Sequence, residues 1–286
     1  MVKILVTGAN GQLGKEFRDL ESQYPNCEFL FLSREDLPIH HFELVRNVFD
    51  SFKPNFCINC AAYTAVDKAE QEKDLAYLVN AESVGVLAAV CKIHNTKFIH
   101  VSTDYVYSGT ANKPYTEEDQ TDPQSVYGAS KLAGEREALL HCPDVVILRT
   151  SWVYSIHGKN FVKTMMKLMS EKETLSVVAD QHGTPTWASD IADAIMKIVQ
   201  FPTWHPGIYN FSNKGEISWF DFASEIKKII HSSCDVKPIP TSAYPTPAKR
   251  PQYSVLDKTK IVSTYLIELK DWNESLNKCM EILAKQ

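Results

Sequence analysis

Apolar and polar positions alternate along the first half of the chain in a way that predicts a parallel sheet with crossover helices. Five short runs are almost continuously apolar, as expected of strands buried on both faces. They cover residues 3–7, 27–32, 56–60, 97–102 and 145–149. Between these runs, apolar residues recur at helical spacing with polar residues opposite. The helices predicted there cover 12–24, 41–52, 67–95 and 125–141. The pattern predicts a Rossmann-like, doubly wound α/β fold.

The pattern changes after residue 150, where Pro, Trp and His become more frequent between shorter elements. We therefore expect a sheet-forming domain at 1–150 and a smaller mixed α/β part at 151–286, with some segments of the second returning to the sheet. The helices predicted in the second part cover 161–172, 189–200, 218–232 and 271–285, and the short strands cover 176–179 and 208–211.

The first predicted strand continues directly into a glycine-rich loop that opens the first helix. The segment reads Gly8-Ala9-Asn10-Gly11-Gln12-Leu13-Gly14. Its glycines lie where the backbone must turn tightly and approach a pyrophosphate at a helix N-terminus. A strand, such a loop and a helix at the start of a βαβ pattern predict a dinucleotide-binding site. A structural turn alone would not need all three glycines.

The end of the second strand indicates which dinucleotide is bound. In this fold an acidic residue about 20 residues past the loop binds the ribose 2′-hydroxyl of NAD, whereas a basic residue accommodates the 2′-phosphate of NADP. Here Ser33 is followed by Arg34, whose guanidinium can form charge-assisted hydrogen bonds to phosphate. We therefore expect NADPH to be preferred and NADH to be accepted. Glu35 and Asp36 oppose that preference.

A tyrosine and a lysine four residues apart predict a proton-transfer site. Tyr127 and Lys131 would share one face of the fourth helix, which would place the ammonium beside the phenol. A free phenol has a pKa near 10, and a neighbouring cation lowers it toward the range of an efficient acid. Thr103 and Asp104, at the end of the fourth strand, complete the constellation.

Composition narrows the classes of function. The 286 residues carry a net charge of −5 with Lys and Arg scattered, which disfavours a nucleic-acid partner. The N-terminal apolar run is too short for a signal peptide and no later run approaches a membrane span, so we expect a cytoplasmic protein with no membrane partner. Seven irregularly spaced cysteines fit a reducing compartment.

No metal site is predicted. Cys57 and Cys60 form a Cys-x-x-Cys within an apolar run, which favours a buried strand over metal or redox chemistry. The nine histidines show no ligand spacing.

Longer motifs resemble the dTDP-4-dehydrorhamnose reductase family of extended short-chain dehydrogenases/reductases, along nearly the whole chain. The segments that carry this resemblance are residues 59–70, 102–107, 127–135, 149–154, 160–161, 180–186 and 250–251. Together they are far more specific than the glycine loop.

The resemblance implies an activity and a set of site residues. The reaction would be NAD(P)H-dependent reduction of dTDP-4-dehydro-6-deoxy-L-mannose at C4 to dTDP-L-rhamnose. Tyr127 would protonate the C4 oxygen, Thr103 would hydrogen-bond it, and Lys131 would hold the nicotinamide ribose. The residues expected to bind the cofactor are Gly8, Asn10, Gly11, Gln12, Leu13, Gly14, Arg34, Pro38, Ile39, Ala61, Ala62, Tyr63, Thr64, Tyr127 and Lys131. The residues expected to bind the sugar nucleotide are Val66, Thr103, Asp104, Tyr105, Trp152 and Arg250.

Two positions depart from the family pattern. Pro38 and Ile39 stand where many members have an acidic residue near the adenine. Some members dimerise through Mg²⁺ held by acidic side chains, and Ser189 stands where one of these would be. A hard cation needs oxygen ligands, preferably charged, so we expect Mg²⁺ to be weakly bound at best and the chain to be a monomer or a weak homodimer.

Two alternatives stay open at this point. One is a non-catalytic NADP-binding regulatory subunit of the methionine adenosyltransferase type, which would not need the proton donor. The other is a different nucleotide-sugar epimerase or reductase. A 4,6-dehydratase is disfavoured because Tyr105 stands where such enzymes commonly carry a second carboxylate after the threonine.

Overall fold

The computed structural model describes residues 1–285 and is built around one parallel sheet. The strands are β1 (Val2–Thr7), β2 (Cys27–Leu32), β3 (Phe56–Asn59), β4 (Lys97–Thr103), β5 (Val146–Thr150), β6 (Val153–Tyr154), β7 (Thr174–Val178), β8 (His182–Gly183), β9 (Thr186–Trp187), β10 (Gly207–Asn210), β11 (Ile217–Ser218) and β12 (Asp235–Ile239). The helices are α1 (Gln12–Leu20), α2 (Phe42–Phe52), α3 (Val66–Ala69), α4 (Lys73–Tyr77), α5 (Ser83–Ile93), α6 (Val126–His141), α7 (Phe161–Glu171), α8 (Ala188–Gln200), α9 (Trp219–Ile229), α10 (Thr259–Tyr265) and α11 (Trp272–Leu283).

The main sheet has the strand order β10-β5-β4-β3-β1-β2, and every neighbouring pair is parallel. The chain passes from β1 outward to β2 and then crosses to β3 on the other side of β1. This reversal opens a crevice at the carboxyl ends of β1 and β3, which is where open α/β sheets bind ligands. The predicted Rossmann-like fold is confirmed, and β10 returns to the sheet from the second half.

Helices cover both faces of the sheet. On one face, Phe17 of α1 and Ile195 of α8 pack against Ile4 and Ile58 of the strands. On the other, α2, α5 and α6 bury side chains such as Val45, Leu87 and Ala138 against β1, β3 and β5. A separate core in the second half joins α7, α9 and α11. The two-layer covering explains why the strand sequences are apolar throughout.

The predicted single helix at 67–95 is wrong. The structure breaks it into α3, α4, a π-helical turn at Leu78–Glu82, and α5. The turn carries Asn80, whose side chain accepts from the Tyr63 N–H (2.8 Å) and donates to the Tyr63 carbonyl (3.1 Å) and the Ser130 hydroxyl (3.0 Å). Through these bonds Asn80, in the π-helical turn, anchors the loop after β3 to α6.

The continuous segment Lys73–Ile93 is long and apolar enough by length and composition to cross a membrane, contrary to the expectation that no run approaches this length. Its 18-residue apolar window is 56% buried inside the protein, and α5 packs between α2 and α6. The segment therefore belongs to the core of the fold.

Candidate active site

The glycine loop turns because Gly8 adopts a left-handed backbone conformation, with φ of +68°. A Cβ atom at Gly8 would lie 2.5 Å from the Ala61 nitrogen, so the loop after β3 approaches the backbone too closely for any side chain. The Gly11 N–H donates to the Gly8 carbonyl at 2.9 Å, and Gly11 is the N-cap of α1. The N-terminus of α1 therefore faces the crevice, as phosphate binding requires.

A cavity of about 520 Å³ lies beside this loop. Predicted cofactor residues that line it are Gly8, Asn10, Gly11, Arg34, Pro38, Ile39, Ala61, Ala62 and Tyr63. Further lining residues, outside the predicted cofactor set, are Ser33, Glu35, Leu37, His40, Cys60, Leu75, Leu78, Val79 and Ser83. Those from the π-helical turn and its neighbours form an apolar wall, which suits an adenine ring.

Six predicted cofactor residues are not among those that line the cavity: Gln12, Leu13, Gly14, Thr64, Tyr127 and Lys131. The Gln12 side chain accepts a hydrogen bond from Asn160 at 2.9 Å, and Leu13 lies in the core. A Cβ atom at Gly14 would lie 2.5 Å from the Gly8 carbonyl oxygen, so Gly14 serves the packing of α1 on the loop. Contact between these residues and a cofactor stays a prediction.

Arg34 presents its charge to the cavity. The Arg34 side chain is exposed. Within residues 1–285 it forms no ion pair with an acidic side chain, whereas Arg46, Arg149 and Arg250 each do. The adjoining turn is held by Ser33, whose backbone N–H donates to the Asp36 carboxylate at 2.9 Å and whose hydroxyl accepts from the Glu35 N–H at 3.2 Å. This local chemistry suits a phosphate group.

Thr103 and Tyr127 meet at the carboxyl edge of β4. Thr103 ends the strand, and Tyr127 lies in the first turn of α6, whose N-cap Ser125 accepts from the Gly128 N–H. Burial raises the pKa of the Tyr127 phenol, while the nearby Thr103 hydroxyl acts to lower that pKa. The phenol is therefore fully protonated at neutral pH.

The Lys131 amine is held by groups on β4. Its Nζ donates to the Val101 carbonyl at 2.7 Å and lies 3.4 Å from Nε2 of His100. The pKa of Tyr127 is set by burial, Thr103, Asp104 and Tyr105, and its lowering by Lys131 stays a prediction. Burial lowers the pKa of Lys131 to about 8, against the opposing effects of Glu135 and Cys60.

Asp104 is a buried carboxyl group directly behind Thr103. Its Oδ1 accepts from the Thr103 hydroxyl at 3.0 Å. Burial raises the pKa of Asp104 to about 6, although the Ser254 and Thr103 hydroxyls act to lower it. Asp104 therefore orients the hydroxyl of Thr103 from behind.

Tyr105 packs edge-on against Tyr127, with ring centroids 5.5 Å apart. The Tyr105 hydroxyl accepts from Arg250 at 3.2 Å, and Arg250 also donates to the Asp67 carboxylate at 2.5 Å. Arg250 thus ties the loop before residue 251 to α3 and holds Tyr105 against Tyr127. Val66 begins α3, directly before Asp67 in the sequence, and is half-buried.

The chain matches a protein family along almost its whole length. The family described as RmlD substrate binding domain matches residues 2–285. The chain belongs to this family. It is 43% identical, over 96% of its length and 97% of the relative's, to a dTDP-4-dehydrorhamnose reductase of Aggregatibacter actinomycetemcomitans.

Solved structures of this family have the same fold. A dTDP-4-dehydrorhamnose reductase of Clostridium acetobutylicum is 41% identical, with a TM-score of 0.94 over 99% of this chain and 100% of that one. A dTDP-4-dehydrorhamnose reductase of Bacillus anthracis, solved in complex with NADP, is 36% identical, with a TM-score of 0.94 over 99% of both chains. This chain is therefore an oxidoreductase that uses a nicotinamide cofactor.

Trp152 follows β5 and has a left-handed backbone conformation. Its φ is +47°, and its ring stacks on Trp219 with centroids 3.5 Å apart. A Cβ atom at Gly183 would lie 2.5 Å from the Trp152 ring, so the indole packs closely against the backbone there. The contact of Trp152 with the sugar stays a prediction.

Potential metal ligands are dispersed through the fold. Among residues 1–285 there is no group of three or more His, Cys, Asp or Glu side chains that could hold a metal ion. The seven cysteines are all unpaired, and Cys57 is buried in β3 as the apolar run predicts. The weak binding of Mg²⁺ expected from Ser189 stays a prediction.

Proposed function

We propose that this chain catalyses the NADPH-dependent reduction of dTDP-4-dehydro-6-deoxy-L-mannose at C4 to dTDP-L-rhamnose. The observation that carries the proposal is the cluster at the carboxyl edge of β4, where the Thr103 hydroxyl accepts from the Tyr105 N–H and Tyr105 packs on Tyr127, together with the cavity at the glycine loop. The names and high identity of the family relatives support the same substrate. A regulatory subunit would have no need of this cluster.

The cavity residues fit NADPH. The N-terminus of α1 and the Gly8–Gly11 turn would bind the pyrophosphate, because backbone N–H groups and the helix dipole favour anions. Arg34 and Ser33 would bind the 2′-phosphate, and Leu75, Leu78 and Val79 would cover the adenine. When bound, NADPH supplies the hydride, and the chain's own residues must orient the sugar and provide the proton.

Tyr127 is the proton donor in this proposal. Its raised pKa keeps the phenol protonated until charge develops on the C4 oxygen of the sugar. An alkoxide is a stronger base than a phenolate, so the proton moves to the sugar without help from bulk water. The Thr103 hydroxyl donates to Asp104 and accepts from the Tyr105 N–H, and it would bind the same C4 oxygen.

The sugar nucleotide would lie against the edge formed by Tyr105, Trp152 and Val66. Tyr105 is held by Arg250, whose charge is partly neutralised by Asp67. The main role of Arg250 would therefore be to hold Tyr105 at this side of the site. The part of its charge that Asp67 does not neutralise would favour an anionic nucleotide.

We further propose that residues 1–150 bind the cofactor, that 151–286 contribute mainly to the substrate side, and that the chain works in the cytoplasm as a monomer or weak homodimer. The unpaired state of all seven cysteines supports a reducing compartment. Sedimentation with and without a chelator measures both the oligomeric state and any dependence on Mg²⁺.

The test is to generate the 4-dehydro sugar in place with a dehydratase and an epimerase, add this protein and NADPH, and identify the product by NMR. We expect dTDP-L-rhamnose to form only when all three proteins are present. NADPH binding without any product would overturn the proposal and favour the regulatory subunit. A different sugar as product would favour another reductase of the nucleotide-sugar class.

A further inference from the structure

A chain of buried hydrogen bonds runs from the cofactor cavity to Lys131 and begins at Asn59. The Asn59 side chain is fully buried, and its Oδ1 accepts from the Ala61 N–H at 3.1 Å and from the Thr7 hydroxyl at 2.7 Å. A backbone N–H can only donate, so this end of the amide must be the oxygen. The orientation of Asn59 is therefore fixed by the backbone that lines the cavity.

The fixed amide determines which nitrogen of His100 carries a proton. Asn59 Nδ2 lies 3.0 Å from His100 Nδ1 and must donate to it, so Nδ1 is the acceptor. His100 is fully buried, and burial together with Lys131 lowers its pKa well below the ordinary value, so the ring is neutral. A neutral imidazole whose Nδ1 accepts carries its proton on Nε2.

That Nε2–H points toward Lys131, whose Nζ is 3.4 Å away. Nζ already donates to the Val101 carbonyl at 2.7 Å. If Lys131 were an ammonium, a second of its protons would face the proton of His100, and two donors would oppose each other. A neutral amine has a lone pair that can accept from Nε2–H.

Two groups around Lys131, Glu135 and Cys60, favour its ammonium form and so oppose the effect of His100. Glu135, one turn later on α6, favours the ammonium, yet its carboxylate accepts from Arg149 and from Ser102. Cys60, at the end of β3, acts in the same direction. Both act through space, whereas His100 offers Lys131 a direct donor.

We propose that His100 is a positioning residue that sets the charge state of Lys131: its Nε2–H, oriented by Asn59, donates to the amine and disfavours the ammonium. Lys131 then gains and loses a proton close to neutral pH instead of remaining permanently charged. The effect of this exchange on turnover rests on the proposed reductase function, but the proton affinity of Lys131 itself does not.

The experiment is an NMR titration of the ligand-free protein labelled with ¹³C at the lysine ε carbons, with the Lys131 signal assigned by its loss in Lys131→Arg. Two variants separate the two ends of the imidazole. His100→Asn keeps a polar group near the Nδ1 position but removes the donor facing Lys131. His100→Gln keeps an amide N–H near the Nε2 position, and so should rescue the effect.

We expect the Lys131 titration midpoint to rise in His100→Asn by about one pH unit, a tenfold gain in proton affinity, and to stay near the wild-type value in His100→Gln. The alkaline limb of the kcat profile should move with it, while the KM for NADPH stays unchanged. Equal midpoints in wild type and His100→Asn, or an equal shift in both variants, would overturn the proposal.

A measurement on the unmodified chain covers the case in which a variant does not fold. The ¹⁵N shifts of the His100 ring distinguish the two neutral tautomers, and we expect Nδ1 to be the unprotonated nitrogen. A proton on Nδ1 would refute the inference. Neither titration uses a substrate, so failure of the reductase assay leaves this test intact.

Discussion

Replacing Arg34 with Ala should weaken NADPH binding and leave NADH binding unchanged. Arg34 lines the cofactor cavity and has no acidic partner within residues 1–285, so its charge is available to a phosphate. NADH lacks the 2′-phosphate and therefore has nothing for this guanidinium to recognise. The change removes one positive charge and its hydrogen-bond donors from the rim of the cavity.

The size of the effect follows from the exposure of the side chain. A hydrogen bond to a charged group contributes about 1.5–3 kcal/mol, and solvent at this exposed position favours the lower half of that range. A loss of about 2 kcal/mol corresponds to a roughly 30-fold increase in the Kd for NADPH. The difference between wild type and variant should shrink at high salt, because the Debye length falls to about 3 Å at 1 M ionic strength.

The assay is calorimetric titration of both cofactors into wild type, Arg34→Ala and a control, Arg18→Ala. Arg18 is an exposed arginine of α1 whose guanidinium stacks on Phe31, 4.6 Å from the ring centroid, and it does not line the cavity. The control should bind both cofactors as wild type does. If Arg34→Ala weakened NADPH and NADH equally, or if Arg18→Ala matched it, the assignment of the 2′-phosphate to Arg34 would be refuted.

Three further predictions concern stability. Gly8→Ala should destabilise the fold by about 1–3 kcal/mol and abolish NADPH binding in a fluorescence titration, because its φ is +68° and its Cβ would strike Ala61. Arg149→Met should cost about 3–5 kcal/mol in urea unfolding, since it leaves the Glu135 carboxylate buried and unpaired. Asp104 has a pKa of about 6 when folded, raised by burial from its ordinary value of 3.8, so it destabilises the fold increasingly as pH rises through that window. The free energy of unfolding of Asp104→Asn minus that of wild type should therefore increase by roughly 2–3 kcal/mol from about pH 4 to about pH 6. Urea unfolding of both proteins at the two pH values measures it.

The sheet could be predicted from the sequence because its strands are buried on both faces and are apolar throughout. Each of the five first-half strands lies within one or two residues of its predicted bounds. The loop at Gly8 was predictable because it is a local feature, with its glycines close together in sequence between the first strand and the first helix.

Features that depend on distant partners could not be predicted in this way. The break in the helix at 67–95 depends on Asn80 bonding Tyr63 and Ser130, which are 17 and 50 residues away. The position of the Lys131 amine depends on the Val101 carbonyl and on His100, which lie on β4 and not on the helix that carries Tyr127. Helical spacing predicts that two side chains share a face, but not which group each one bonds.

The reductase account is tested most directly by the turnover of Tyr127→Phe, followed as loss of NADPH absorbance with saturating 4-dehydro sugar. Tyr209→Phe is the matched control, because that hydroxyl donates to the His205 carbonyl away from the cavity. We predict that kcat falls about 100- to 10,000-fold in Tyr127→Phe while the Kd for NADPH is preserved, and that the control turns over as wild type does. Turnover of Tyr127→Phe within about tenfold of wild type would contradict the assignment of Tyr127 as the proton donor.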